Sequence, residues 1–147
     1  MTYATILLAH DFSAGGGKAL ERAAALAGTF GAQLHLLHIV EYLPPVDTSF
    51  GAVSPFEVDL TDQMIASARK RVHALAGEQG IVVEHCWVEV GSPKLEIIRI
   101  AREIGADLIV LGTHGRHGLG LLLGSTAASV VNHAPCDVLA VRLRDAD

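Results

Sequence analysis

Short unbroken apolar runs alternate along the chain with longer stretches in which apolar residues return every three or four positions. The first run, Thr5-Ile6-Leu7-Leu8-Ala9, has the pattern of a strand buried on both faces. Ala19, Leu20, Ala23, Ala24, Ala27 and Phe30 then mark one face of a helix that Gly31 stops. Leu34 to Val40 is a second strand. Residues 41–55, with Pro44, Pro45, Gly51 and Pro55, read as a loop. The longest helix follows, with Val58, Ile65, Ala68, Val72 and Leu75 as its apolar stripe and Gly80 at its end. Ile81 to Val90 is a third strand. Gly91-Ser92-Pro93 opens the next helix, with Ser92 as N-cap and Pro93 in the first helical position. Ile97, Ile98, Ala101 and Ile104 form its stripe, and Gly105 closes it. Asp107 to Leu111 is a fourth strand, and a glycine-rich stretch runs from Gly112 to Gly124. A last helix starts at Ser125 and fades near His133-Ala134-Pro135, before a final strand from Val138 to Leu143.

The resulting order, βαβαβαβαβ, predicts an α/β fold: one doubly wound parallel sheet with right-handed crossovers and helices on both faces. Its 147 residues, 50% of them hydrophobic, suffice for one domain with one core, spanning 1–147. In such sheets ligands bind beyond the carboxyl ends of the strands, where the strand order reverses. The first and fourth strands are the most apolar and are expected to be central neighbours. The site is therefore expected between their exits, His10-Asp11-Phe12-Ser13 and Gly112-Thr113-His114-Gly115.

The chemistry of the second exit is suited to phosphates. Glycine lets backbone N–H groups approach a ligand closely. Gly124-Ser125-Thr126 lies at a helix start, where free N–H groups and the helix dipole favour an anion. Ser125 and Thr126 add hydroxyls, and Arg116 and His117 add positive or partial charge. A glycine-rich turn before an ordinary helix is the alternative reading of the same residues. Two better-known phosphate motifs are absent. Gly17-Lys18 is followed by Ala19 rather than Ser or Thr, and Phe12 stands where a P-loop has its first glycine. After Gly118-Leu119-Gly120 the dinucleotide fingerprint requires glycine at Leu123.

A net charge of −5 argues against a nucleic-acid backbone as partner. Arg69-Lys70-Arg71 reads as a solvated helix face. Cys86 and Cys136 make no zinc or redox pair and are expected as buried thiols in a reducing compartment. The N-terminal residues lack the pattern of a secretory signal, and no apolar run is long enough to span a membrane, so a cytoplasmic location is expected. His35 and His38 lie three apart on a strand and should point to opposite faces, which argues against a shared metal. His114 and His117 read as polar loop residues, and no nucleophile–base constellation points to an enzyme.

Gly112-Thr113-His114-Gly115 followed by Gly124-Ser125 resembles the G-x2-G-x9-G-[S/T] motif of universal stress proteins, with eight residues in place of nine between Gly115 and Gly124. The resemblance extends along the whole chain. It includes Ile6 to Ser13, Leu36 to Val40, Gly91-Ser92-Pro93, Asp107 to Val110 and His133 to Val141. It implies a five-stranded sheet of order 3-2-1-4-5 and a homodimer paired through Val138 to Leu143. It also implies ATP, with Mg2+, as ligand. Ala9, His10, Asp11 and Ile39 would then hold adenine and ribose. Gly112, Thr113, His114, Gly115, Arg116, Gly124, Ser125 and Thr126 would hold the phosphates. The ending from Leu139 to Asp145 is also similar to the family's founding branch, which lacks the glycines, so a nucleotide-free interaction protein is the alternative. A slow ATPase is a further one.

Overall fold

The fold is given by a computed structural model, which describes residues 2–41, 55–113 and 123–142. The elements in chain order are β1 (Thr5–Ala9), α1 (Ala14–Phe30), β2 (Gln33–Val40), α2 (Pro55–Gln79), β3 (Cys86–Val90), α3 (Pro93–Ile104), β4 (Leu108–Gly112), α4 (Ser125–His133) and β5 (Asp137–Val141). The five strands form one sheet in the order β3-β2-β1-β4-β5, as the family resemblance implies, and every pair is parallel.

β1 lies at the centre because its side chains are apolar on both faces. Ile6, Leu7 and Leu8 are all fully buried. Ile6 and Leu8 face Ala19, Leu20 and Ala23 of α1 and Val72 and Ala76 of α2. Leu7 faces Ile97, Ile100 and Ala101 of α3 and Ala127 and Val130 of α4. Each face of the sheet thus carries two helices, and strand alternation divides the core between them. The Asp107 carboxylate accepts the backbone N–H groups of Ala4 (2.9 Å) and Thr5 (3.1 Å), which ties the start of β1 beside β4.

The helix ends follow their local signals. Gly31 and Gly105 both adopt left-handed backbone (φ 66° and 67°). The residue after each donates back into the helix, Ala32 to the Ala27 carbonyl and Ala106 to the Ala101 carbonyl. Ser13 caps α1 by accepting the Gly16 N–H. Ser92 occupies the N-cap position of α3, but its side chain makes no capping bond.

Three expectations are corrected. β3 begins at Cys86 rather than Ile81, because Val83–His85 form a 3-10 turn closed by the His85 N–H on the Val82 carbonyl. The β-branched run 81–83 has strand propensity, but Val82 and Val83 are exposed and gain no packing there. β5 runs from Asp137 to Val141, each residue aligned with one of Leu108–Gly112; Leu143 lies outside the described residues. Cys86 and Cys136 are half-buried free thiols, and burial raises both thiol pKa values.

At one point the packing leaves no room for a side chain. A Cβ on Gly112, at the end of β4, would lie 3.2 Å from the carbonyl carbon and oxygen of Gly15 at the start of α1. Gly28, on the exposed side of α1, has nothing within 4 Å of such an atom. Gly112→Ala is therefore expected to lose about 1–3 kcal/mol by overpacking. Gly28→Ala should gain about 0.5–1 kcal/mol from helix propensity. Urea denaturation of both variants checks the opposite signs.

Candidate functional site

The chain leaves β1 through Ala9-His10-Asp11-Phe12-Ser13 and turns at once into α1. The turn is held by its own polar groups. The Asp11 carboxylate accepts both the backbone N–H and the hydroxyl of Ser13. The His10 N–H donates to the Leu37 carbonyl (2.8 Å), which extends the β1–β2 contact by one residue. His10 is 6% exposed, and its ring Nδ1 accepts the Phe12 N–H at 2.8 Å. Burial lowers the imidazole pKa more than neighbouring Asp11 raises it, so the ring is neutral and its one proton sits on Nε2.

Phe12 absorbs the sharpness of the turn. Its φ of 63° is the single positive value at a non-glycine among the described residues, and a bulky residue adopts that region only when its surroundings compensate. They do so here. The ring stacks on His38 at 4.0 Å, and the Arg71 guanidinium lies 3.9 Å from the ring centroid. Two planar groups at that distance occupy opposite faces, so Phe12 is sandwiched between β2 and α2. His38 Nδ1 donates to the His10 carbonyl at 2.7 Å, which fixes the ring's position. Arg71 is thus more than part of a solvated helix face.

At the second exit the glycine stretch departs from and returns to one place. Thr113 donates to the Val141 carbonyl (3.0 Å), and the Gly124 N–H donates to the Thr113 carbonyl (2.8 Å). Gly124 is the N-cap of α4 and offers no side chain, so among the described residues no side chain caps this helix. Ser125 is exposed and Thr126 half-buried at its first turn. The structure therefore gathers Ala9, His10, Asp11, Gly112, Thr113, Gly124, Ser125 and Thr126 at the carboxyl edge, where β1 and β4 lie side by side. Ile39, near the end of β2, is buried on the α3–α4 face. His114, Gly115, Arg116 and His117 lie outside the described residues.

Sequence reasoning placed Phe12 in the exit loop without a role, read Arg71 as part of a solvated face, and passed over Gly15 and Gly16. A Cβ on Gly16 would meet Asp11 Oδ1 at 2.9 Å and the His10 ring at 3.1 Å, so the start of α1 presses on the β1 exit. The available signal was the Gly15-Gly16-Gly17 run at a helix start, where three poor helix formers need a packing reason. A cavity of about 270 Å³ opens beside Phe12. A larger one, of about 500 Å³, lies between α1 and the edge strand β5, lined by Lys18, Arg22, Val141 and Arg142 among others.

His35 and His38 point to opposite faces, as expected. His35 is buried, stacked on His85 at 4.2 Å, and accepts the Trp87 Nε1–H at 3.1 Å. Burial first and His85 second lower its pKa from 6.5 to about 4.

This architecture is that of a doubly wound α/β domain with its crevice at the switch point between two neighbouring strands. The chain belongs to the universal stress protein family, whose family model matches residues 2–142. Universal stress protein A homolog 2 of Coxiella burnetii is 42% identical over 125 residues, covering 85% of this chain and 84% of that protein. The universal stress protein UspA of Lactobacillus plantarum superposes with a TM-score of 0.77 at 28% identity, covering 98% of this chain and 99% of that one. A universal stress protein solved in complex with cAMP superposes with a TM-score of 0.68 at 26% identity, covering 97% and 98%. Among the described residues no helix is long and apolar enough to cross a membrane.

Because the folded-state pKa of His35 lies below its unfolded value, protonation favours unfolding. The stability that neutral His35 contributes is complete above pH 6.5 and is lost as pH falls towards about 4. His35→Gln, which retains a polar partner for Trp87, should flatten the stability–pH curve over that window. The check is denaturation at stepped pH, followed by fluorescence of Trp87, the chain's one tryptophan.

Proposed function

We propose that this universal stress protein is a regulatory module that binds a nucleotide, ATP with its Mg2+, at the carboxyl edge between β1 and β4. The observation that carries the reading is the start of α4. Its first turn has no side-chain cap among the described residues, and it is tied to the end of β4 by the Gly124–Thr113 hydrogen bond. Unsatisfied N–H groups and the positive end of the helix dipole suit a phosphate, and the Ser125 and Thr126 hydroxyls add donors. By contrast, Ser13 supplies the cap at the start of α1 on the same edge. The donor set therefore fits a polyphosphate at α4, while Ala9, the backbone of His10, Asp11 and Ile39 line the expected path of base and ribose. The related protein in complex with cAMP supports a nucleotide as the ligand class. No residue of the chain is assigned to the metal, which would arrive with the phosphates.

The module acts without turnover in this reading. His10 is buried and neutral, and the Asp11 carboxylate is engaged by Ser13. Neither is placed as a free general base. Pairing of two copies through the last strand is part of the proposal. β5 is at the sheet edge, and Val138, Leu139 and Ala140 are only partly covered; such an edge calls for a partner. Sedimentation should then give the mass of two chains.

Native mass spectrometry and a thermal shift with Mg-ATP test the nucleotide. Gly124→Val, which crowds the start of α4, should abolish the shift while leaving the unliganded melting temperature near its original value. Absence of bound nucleotide together with no shift at millimolar ATP would reject the reading in favour of a ligand-free interaction protein.

A further inference from the structure

The 270 Å³ cavity beside Phe12 is lined by His10, Phe12, Arg71, Ala74 and Leu75. It lies on the α2 side of the sheet. His10 continues the side of β1 that carries Ile6 and Leu8, whereas Ile39 and α4 belong to the opposite face. Two observations indicate what it is built to hold. First, Arg71 lies against an aromatic ring and has no carboxylate partner among the described residues, so its N–H fork is available beside an apolar wall. Second, His10 is more than nine-tenths buried and its Nδ1 is already taken by Phe12 N–H. The remaining proton, on Nε2, has no protein partner among the described residues. No polar side-chain atom among them is sealed from solvent without a partner. The Nε2–H is therefore reached by solvent, and His10 is one of the residues that line the cavity. The carboxylate of nearby Asp11 is held by Ser13 and forms no ion pair with Arg71 or hydrogen bond with His10.

We infer that this cavity is a second binding site, which takes a small organic anion: a carboxylate or phosphate group held by Arg71 and His10 Nε2–H, with a compact apolar body against Phe12, Ala74 and Leu75. A bidentate guanidinium and a buried neutral donor recognise an oxyanion more strongly than either alone. The volume lies just under the roughly 300–1,000 Å³ of sites for drug-sized ligands, which limits the body to about one ring. The left-handed backbone of Phe12 belongs to this arrangement, since it carries the ring to its place between His38 and Arg71. The site does not rest on the nucleotide reading.

The test is titration of the full chain with benzoate and with phenyl phosphate, followed by 1H–15N correlation spectra. Both probes should saturate shifts at His10, Phe12, Ala74 and Leu75, and neutral benzyl alcohol should not. Arg71→Leu should weaken binding by about tenfold or more, the loss of one charged hydrogen-bonding partner. Arg71→Lys should fall between, keeping charge without the fork. Ala74→Leu, at an exposed helix position, should block the cavity with the core intact. The Mg-ATP thermal shift should keep its size in Arg71→Leu, and ATP should not displace the probes. Failure to saturate, equal binding by Arg71→Leu, or displacement by ATP would overturn the inference. A null result with ATP alone would bear on the nucleotide proposal and leave this site standing.

Discussion

The carboxyl edge of this protein is organised by a contact between two backbones, Gly15 at the start of α1 and Gly112 at the end of β4. Neighbouring β1 and β4 send the chain in different directions as it leaves the sheet, which is what opens a crevice in folds of this type. Here α1 crosses so close to β4 that a Cβ on Gly112 would press on the Gly15 backbone. The short turn from Ala9 to Ser13 must reach that position in a few residues. It does so with Asp11 bracing Ser13, Ser13 capping α1, and Phe12 in a left-handed conformation. The stack of His38, Phe12 and Arg71 is the outward consequence of that bend.

The two helix starts on this edge differ in one respect that matters chemically. The α1 start is satisfied from within by Ser13, whereas α4 begins at a glycine and receives no side-chain cap among the described residues. In a chain of net charge −5, anion attraction must come from such local features rather than from the overall field. The start of α4 is proposed as one, through backbone donors. Arg71 and the Nε2–H of His10 provide another on the opposite face of the sheet, through side chains.

The sheet and its helices were legible because their signals are local. Apolar runs gave β1 and β4, periodic stripes gave the helices, and Gly31 and Gly105 gave helix ends that the structure reproduces as left-handed caps. The strand order was supplied by the family resemblance and by the expectation that the two most apolar strands are central. β3 was read too long because Ile81 to Val83 favour strand locally while the sheet begins pairing only at Cys86. The position of Ala9 to Asp11 and of Gly124 to Thr126 at the carboxyl edge was legible because loops at strand ends are predictable once the fold is. The role of Arg71 was not. Its partner Phe12 is far away in sequence, and a basic run on a helix gives no sign that one of its members reaches an aromatic ring. The close approach of Gly15 to Gly112 is likewise a tertiary contact that no local pattern encodes.

The central claim is that backbone donors at the start of α4, on the carboxyl edge shared with the β1 exit, hold an anionic nucleotide. Amide chemical-shift mapping of an ATP titration tests it most directly. The account predicts saturable shifts concentrated at Ala9 to Asp11, Gly112 to Thr113 and Gly124 to Thr126. Shifts confined to the groove of Lys18, Arg22 and Arg142 beside β5, or none at saturating ATP, would contradict it.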